Sequence, residues 1–512
     1  MAASSQPLAV EAAINILRSG GNAIDAAVTA TLVLAVIEPM STGLGGDCFS
    51  LIYLNQEKRL LGLNASGRAP DAISVEALHK RGIEEMPLEG PLSITVPGML
   101  DGLVQCLARY GTISLQDALK PAIEFAESGF PVPEITSQMW QRSVDKLQRN
   151  SESAHVFLPE GSAPQPGQVF RNADLARTLK TIAGEGHNAL YNGSLGEKIV
   201  NAVCALGGLI SLTDLSEHTS DWVEPIRTIY RGYEVIELPP NNQGLTTLIA
   251  LNIVEGYPLR ELTHNSTQYL HNLIEAMKTA LYEAQANISD PQMLSPVARL
   301  LSREYAAELR AQISSSRART VGSRSAELSG DTVYVAVVDE AQNVVSMISS
   351  LFKAFGSGVT IPGTGLLLQN RGSGFVLEPN HPNLLGPGKR PFHTIMPGMI
   401  MRDNQPWACL GVVGGMMQAQ GQLQIICNLI DFGMDPQSAV EAPRFRVLEE
   451  DRLAIEEGIE DQVRAELASL GHNLDPAASQ GDHFGGAQVI QVLEGTLFGG
   501  SDPRKDGCAL GY

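Results

Sequence analysis

Thr332 is the residue whose position points most directly to chemistry, because it begins an apolar run at 333–338. The residues before it, 329–331, read Ser-Gly-Asp and predict a turn. Further upstream, the polar segment 314–320 is poorly suited to a hydrophobic core. A flexible segment, a threonine and a buried strand in this order are what a self-cleaving precursor needs. Cleavage before Thr332 would convert a residue in the middle of the chain into an N-terminal nucleophile.

The chemistry of an N-terminal threonine explains why this position matters. A threonine hydroxyl is a weak nucleophile until a base removes its proton, and a free α-amine, with an unperturbed pKa of about 7.7–8.0, can be that base. In the precursor, the Thr332 hydroxyl would attack the carbonyl of Asp331 and move the acyl group from nitrogen to oxygen. Hydrolysis of the ester would then free chains 1–331 and 332–512. On the local sequence alone, an ordinary strand threonine is the simpler explanation.

The composition of the whole chain is that of a soluble globular protein, with 44% hydrophobic and 18% charged residues. A net charge of −20 argues against nucleic acid and acidic membrane surfaces as partners. The longest apolar stretch, 26–37, is too short to cross a membrane, and no signal-peptide pattern begins the sequence, so we expect a cytoplasmic protein. The cysteines include no CxxC pair, which favours buried thiols over disulfides or a zinc site. They are Cys48, Cys106, Cys204, Cys409, Cys427 and Cys508.

Several well-known motifs are missing from the sequence. It contains no GxxxxGK[ST], no GxGxxG, no GxSxG and no HExxH. Their absence argues against a P-loop, a dinucleotide site, an α/β-hydrolase serine and a zinc peptidase. His381 and His393 lie twelve residues apart with prolines between them, and no further metal ligands accompany them. We therefore predict neither a metal nor a cofactor.

The elements that must position Thr332 begin with two helices, a glycine turn and a strand. Apolar residues at helical spacing predict a helix at 7–18, and Asn22 and Asp25 open a second helix that ends at Ile37. Further helices are predicted at 100–130, 173–205, 248–255 and 268–287, and strands at 48–54, 60–64 and 233–238.

After Thr332 the pattern changes, and short apolar runs typical of strands dominate. Two helices are predicted among them, at 418–431 and near 462–470. This order of elements predicts a layered α/β arrangement in which helices pack on sheets. The predicted strands lie at 333–339, 344–349, 365–368, 396–401, 407–413, 444–447, 454–455, 487–493 and 496–499.

Motifs along almost the whole chain point to one family. They are GGNAIDAA at 20–27, GLGGD at 43–47, TVPG at 95–98, YRGY at 230–233, FGSG at 355–358, GKRP at 388–391, GG at 414–415, GSDPR at 500–504 and GY at 511–512. In this order they resemble the γ-glutamyltransferase family of N-terminal-nucleophile hydrolases. The resemblance implies a four-layer αββα sandwich that a large subunit, 1–331, and a small subunit, 332–512, build jointly. It also implies that the two processed chains stay associated, with a dimer of such heterodimers as an assembly to be tested.

The resemblance implies catalytic roles for specific residues. Thr332 matches the nucleophile, and cleavage would fall between Asp331 and Thr332. Gly414 and Gly415 match the oxyanion-hole glycines, whose N–H groups approach a tetrahedral intermediate; a plain tight turn is the alternative. Ser350 matches a second hydroxyl that supports the nucleophile, with an ordinary core or solvated serine as the alternative.

The sequence departs from the family at the positions that recognise glutamate. Ser66 stands where the family has an arginine for the α-carboxylate, and Arg68, two residues on, is a candidate replacement. Gly374 stands where an acidic residue would hold the α-amine, and Arg371 adds a positive charge nearby. A substrate ammonium group would therefore lose its counter-charge.

Other differences favour a smaller pocket. His393 and Thr394 replace paired serines, Phe352 replaces a polar residue that contacts the substrate, and the segment 375–391 is too short for the longer lid of some relatives. Ordinary packing or surface roles are the alternative for His393 and for both arginines. Together, the changes favour a short anionic amide without an α-amino group. Within the family this is most similar to the oxamate amidohydrolases, which release oxalate and ammonia.

Three functions stay open on the sequence. The first is a self-processed threonine amidohydrolase that acts on a small carboxylate amide. The second is a γ-glutamyl hydrolase or transferase for glutathione-like donors, and Gly374 is the feature against it. The third is an uncleaved relative with a binding role.

Overall fold

The computed structural model describes residues 1–291, 296–322, 331–478 and 482–512. Ser329 and Gly330 of the predicted turn lie outside this part, whereas Asp331 and Thr332 lie inside it. The polar segment 314–320 is mostly exposed, as the sequence predicted. Within the described residues, no helix combines the length and the apolar character needed to cross a membrane.

The β-strands are labelled in chain order. They are β1 Ala2–Ser4, β2 Asp47–Leu54, β3 Arg59–Ala65, β4 Phe130–Pro131, β5 Val169–Phe170, β6 Asp221–Val223, β7 Ile226–Tyr230, β8 Tyr233–Glu237, β9 Asp331–Val338, β10 Val344–Phe352, β11 Gly398–Arg402, β12 Gln405–Val413, β13 Phe445–Val447, β14 Arg452–Ile455, β15 Asn473–Leu474, β16 Gly486–Leu493, β17 Thr496–Ser501 and β18 Cys508–Leu510.

The α-helices are labelled in the same way. They are α1 Pro7–Arg18, α2 Ala23–Ile37, α3 Val75–His79, α4 Met99–Tyr110, α5 Leu115–Ser128, α6 Glu134–Gln141, α7 Val144–Gln148, α8 Ser151–Phe157, α9 Ala173–Glu185, α10 Asn188–Tyr191, α11 Ser194–Ala205, α12 Leu212–Ser216, α13 Gly244–Val254, α14 Thr267–Asn287, α15 Val297–Leu300, α16 Arg303–Ala311, α17 Met417–Ile430, α18 Pro436–Glu441 and α19 Asp461–Ser469.

Two antiparallel sheets form the centre of the described structure. One has the strand order β18-β1-β9-β10-β2-β3-β6, and the other has the order β17-β16-β12-β11-β8-β7. Their inner faces pack on each other, and alternation along β9 shows how: Tyr334 and Ala336 join the cluster between the sheets, whereas Val333 and Val335 join the cluster under the helices. Because both faces of β9 are buried, its sequence is continuously apolar.

Helices cover the outer face of each sheet. α1, α2 and α4 pack against the first sheet, with α5 on top of α2, and α13 and α17 pack against the second, with α14 on top of α13. Every residue of α2 is buried, and each buried Val, Leu or Ile side chain there contributes about 1.5–3 kcal/mol. This arrangement is a four-layer αββα sandwich, so the predicted fold class is confirmed.

The predicted elements agree with the structure over most of the chain. α1 matches its predicted bounds, and α2 begins after Asn22, whose side chain forms a capping box with Asp25. The strand predicted at 365–368 is wrong, since only isolated bridges from Leu367 and Leu368 form there. α13 begins at Gly244, before the predicted start. The prediction of buried thiols fails at Cys204, which is exposed.

Candidate active site

Thr332 lies near the start of β9, and its side chain is buried between the two sheets. Its hydroxyl Oγ1 donates to Ser350 Oγ at 3.4 Å and accepts from Gln418 Nε2 at 3.4 Å. The neighbouring strand β10 reaches this point through a bulge between Ser349 and Phe352. The bulge places Ser350 beside the junction of Asp331 and Thr332.

Ser350 contacts the peptide bond that the sequence predicts to be cleaved. Its hydroxyl donates to the carbonyl oxygen of Asp331 at 2.8 Å and accepts from the backbone N–H of Phe352 at 2.7 Å. Phe352 has a positive φ of 82°, which is unfavourable for a residue with a bulky side chain. The hydrogen bond from its N–H therefore helps to hold the strained bulge that presents Ser350.

Arg371 is a fully buried cation next to these residues. Nη1 donates to Thr394 Oγ1 at 3.0 Å, Nη2 donates to Ser350 Oγ at 3.4 Å, and the guanidinium lies 4.0 Å from the centre of the Phe352 ring. Among the described residues, Nε has no hydrogen-bond partner and no carboxylate lies within 4 Å of the guanidinium. Burial lowers the pKa of Arg371 to about 9, and the charge of Asp47 opposes this change.

His393 is buried behind this group and is neutral. Burial, followed by the nearby charge of Arg371, lowers the pKa of His393 to about 3. Nδ1 accepts from the N–H of Ile395 at 3.4 Å, so Nε2 carries the proton and donates to Asp47 Oδ2 at 2.9 Å. Asp47 Oδ1 also accepts from Gly67 N and from the side chain of Gln369. Hydrogen bonds of this pair therefore connect four segments of the chain around the site, those of Asp47, Gly67, Gln369 and His393.

Gly414 and Gly415 lie between β12 and α17. Their φ angles of 116° and 62° fall in the region that favours glycine, and a Cβ on Gly414 would lie 3.1 Å from the Cα of Gly485. The carbonyl of Gly415 accepts from Gln243 Nε2 at 3.0 Å and from the N–H of Gln418 at 3.2 Å. The glycine pair is thus held at the start of the helix that reaches Thr332.

Arg68 lies in a separate group of charges. Its guanidinium is 3.5 Å from Asp221 and 3.7 Å from Asp290, and it donates to the carbonyl of Gly388 at 3.2 Å. Arg390 pairs with the same Asp221. The structure therefore brings Ser350, Phe352, Arg371 and Thr394 together around Thr332, with His393 behind them. It does not bring Arg68 into contact with them.

Two residues of the site were missed in the sequence. Asp47 ends the glycine motif at 43–47, and its partner His393 is 346 positions away, so spacing alone does not reveal the contact. Gln418 is the first of four buried glutamines at alternate positions of α17. Several polar side chains in a wholly buried helix are a signal that the sequence did contain.

One group elsewhere has the donor types of a metal site. Atoms of His271, Glu275 and His472 that could bind an ion lie within 4.8 Å of one another. However, Glu275 is ion-paired with Lys278 and with Arg319, and the two imidazoles lie 2.9 Å apart at His271 Nδ1 and His472 Nε2. Two cations beside the carboxylate would repel a further cation. We therefore assign this group to the packing of α14.

A sequence profile of the family described as Gamma-glutamyltranspeptidase matches residues 9–512. The chain belongs to the gamma-glutamyltranspeptidase family. This confirms the resemblance carried by the sequence motifs. The cephalosporin acylase from Bacillus halodurans has a crystal structure that covers 99% of this chain and 94% of its own, with 40% identity and a TM-score of 0.93. The sandwich is therefore of the N-terminal-nucleophile hydrolase type.

Relatives within the gamma-glutamyltranspeptidase family carry names of different hydrolases. The glutathione hydrolase-like YwrD proenzyme of Bacillus subtilis is 39% identical over 519 residues, with 100% of this chain and 98% of that protein covered. The oxamate amidohydrolase proenzyme of Klebsiella pneumoniae is 33% identical over 525 residues, with coverage of 100% and 98%. The prediction that the chain is an enzyme of this hydrolase type is confirmed, and the word proenzyme in both names is in line with processing into two chains.

Proposed function

We propose that this chain is a self-processing amidohydrolase that cleaves a small amide bearing a carboxylate, with oxamate as the leading candidate. The observation that carries the proposal is Arg371, a buried guanidinium beside Ser350 that forms no ion pair within 4 Å with any carboxylate of the described residues. A buried charge is unfavourable unless it is paired. An anionic substrate would supply the missing partner. A planar carboxylate can accept two parallel N–H hydrogen bonds from a guanidinium at once.

Maturation would begin at the peptide bond between Asp331 and Thr332. The Thr332 oxygen attacks the Asp331 carbonyl carbon, the C–N bond breaks, and the hydroxyl proton moves to the departing nitrogen. The hydrogen bond from Ser350 to the carbonyl oxygen stabilises the negative charge that develops there. Water then hydrolyses the ester. It leaves a carboxylate on Asp331, and it leaves a free hydroxyl and α-amine on Thr332.

Turnover would use the same oxygen with a new base. The α-amine of Thr332 takes the hydroxyl proton, and the oxygen attacks the amide carbonyl of the substrate. The N–H groups of Gly414 and Gly415 stabilise the tetrahedral oxyanion. The α-amine returns the proton to the leaving nitrogen, ammonia departs, and water hydrolyses the acyl ester to oxalate. Arg371 holds the free carboxylate throughout, with Thr394 bound to its Nη1.

The second candidate is a γ-glutamyl hydrolase or transferase. The name of the Bacillus subtilis relative, glutathione hydrolase-like, favours it. Gly374 argues against it, because a glutamate α-amine needs an acidic partner and glycine offers none. The match to a cephalosporin acylase adds larger amides to the substrates to be tested.

The test combines electrophoresis with three substrates. Denaturing electrophoresis of purified protein should show two chains, and Thr332→Ala should give one uncleaved, inactive chain. Ammonia release should be faster from oxamate than from oxamide, its uncharged analogue. Turnover of a γ-glutamyl anilide in the absence of oxamate hydrolysis would favour the second candidate. A single full-length band with no hydrolysis of any amide would support a binding role.

A further inference from the structure

α17 carries four buried glutamines that bind backbone groups of other segments. Gln420 and Gln424 each use both ends of the side-chain amide to bind β13, at Val447 and Phe445. Gln418 and Gln422, one helical turn apart, face the opposite direction and bind Met396. The helix therefore joins two backbone segments through polar contacts.

The contacts of Met396 fix the orientation of the Gln418 amide. The backbone N–H of Met396 can only donate, and it lies 3.1 Å from Gln418 Oε1, which must accept. The carbonyl of Met396 is held in turn by Gln422 Nε2 at 3.1 Å. The remaining end of Gln418 is Nε2, 3.4 Å from Thr332 Oγ1, so this group must donate to the hydroxyl oxygen.

We propose that Gln418 is a further catalytic residue, which donates a hydrogen bond to the attacking oxygen of Thr332. The inference rests on the proposed function, in which Thr332 is the nucleophile. A hydroxyl oxygen has one proton and two lone pairs. The proton points to Ser350 and Gln418 occupies one lone pair, so the other lone pair is left for the attack.

The same hydrogen bond would strengthen during the reaction. At 3.4 Å it is long for a neutral pair. When the Thr332 oxygen loses its proton, it becomes negative, and hydrogen bonds to ionised acceptors are shorter and roughly twice as strong. An interaction that strengthens in the transition state raises kcat and leaves KM largely unchanged.

A matched set of variants separates this role from packing. Gln418→Met removes the donor to Thr332 together with the acceptor for the Met396 N–H, Gln422→Met removes only the bond to the Met396 carbonyl, and Gln420→Met removes contacts with β13. All three glutamines are fully buried on the same helix, so the variants share the same change in polarity. Protein made by cell-free synthesis allows cleavage before Thr332 to be followed from the start, without knowledge of the substrate.

Gln418→Met should slow cleavage and lower kcat for oxamate about 10- to 100-fold, with KM changed less than about threefold. Gln422→Met and Gln420→Met should stay within about threefold of wild type in both rates. Equal losses in Gln418→Met and Gln422→Met would overturn the proposal, because the effect would then pass through Met396. Wild-type rates in Gln418→Met would also overturn it.

Two further measurements keep the test decisive. If Gln418→Met does not fold, Gln418→Glu keeps an acceptor for Met396 N–H and, when ionised, offers Thr332 only an acceptor. Its kcat relative to wild type should then fall as the pH rises, and a constant ratio would overturn the proposal. Thr332→Ala distinguishes failure of the proposed function from failure of the role of Gln418. Activity in Thr332→Ala would refute Thr332 as the nucleophile. An inactive Thr332→Ala together with a fully active Gln418→Met would refute only the role of Gln418.

Discussion

Replacing Arg371 by methionine separates its proposed role in binding from a role in folding. Burial lowers the pKa of Arg371 from 12.5 to about 9. At about 1.36 kcal/mol for each tenfold change in the dissociation constant, this corresponds to roughly 5 kcal/mol of unfavourable burial, constant below pH 9. Since a buried charge without an ion-pair partner destabilises the folded state, Arg371→Met should be at least as stable as wild type.

The same variant should lose the recognition of an anionic substrate. Removing one partner of a buried, hydrogen-bonded charge pair costs about 2–5 kcal/mol. At 1.4 kcal/mol per tenfold change in rate, kcat/KM for oxamate should decrease by a factor between about 30 and several thousand. Oxamide has no carboxylate, so its kcat/KM should change by less than about threefold.

Cleavage of the precursor provides a control within the same protein. Ser350 keeps its bonds to the Asp331 carbonyl and to Phe352 N–H, at 2.8 and 2.7 Å, both shorter than its 3.4 Å contact with Arg371. Arg371→Met should therefore still be processed. The assay measures ammonia release from both amides and unfolding by denaturant at pH 7. A variant that is less stable but hydrolyses oxamate normally would refute the reasoning, because Arg371 would then be structural.

Three other side chains give predictions that single variants test. Ser350→Ala removes the hydrogen bond to the Asp331 carbonyl and should slow cleavage about 100- to 1000-fold on a gel time course; an unchanged half-time would contradict the assigned role. Arg68→Ala breaks ion pairs with Asp221 and Asp290 and should raise KM for oxamate less than Arg371→Met does; an equal rise would place both arginines at the substrate. Glu38→Gln tests a buried carboxyl whose pKa burial raises to about 7. Because the folded state binds the proton more tightly, the stability from neutral Glu38 is lost as pH rises from 4.5 through about 7. The variant should therefore gain up to roughly 3 kcal/mol over wild type between pH 4.5 and 8, and a pH-independent difference would contradict this.

The sequence predicted the fold where one physical signal dominates. α1 and α2 follow from helical spacing and from the Asn22 and Asp25 capping box, and β9 follows from its continuous apolar run. The position of Thr332 at the start of that strand was predicted as well. The strand expected at 365–368 fails because the same apolar residues pack in a loop, where Leu368 forms only a bridge to Gly45.

The contacts that define the site could not be read from the sequence. Asp47 and His393 form a hydrogen bond although they are 346 positions apart, and Gln418 reaches Thr332 from α17, a helix that packs on the other sheet. The sequence does not distinguish Arg68 from Arg371. In the described structure, Arg68 is ion-paired with two aspartates, whereas Arg371 is buried and has no carboxylate within 4 Å. Such differences depend on how the layers stack, which local patterns do not determine.

N-terminal sequencing of the smaller chain tests the central claim most directly. A protein cleaved by its own nucleophile should yield a smaller chain that begins Thr-Val-Tyr-Val-Ala, from Thr332. The intact mass of the larger chain should match a polypeptide whose last residue is Asp331. A smaller chain that begins at another residue, or an uncleaved protein with full amidase activity, would contradict it.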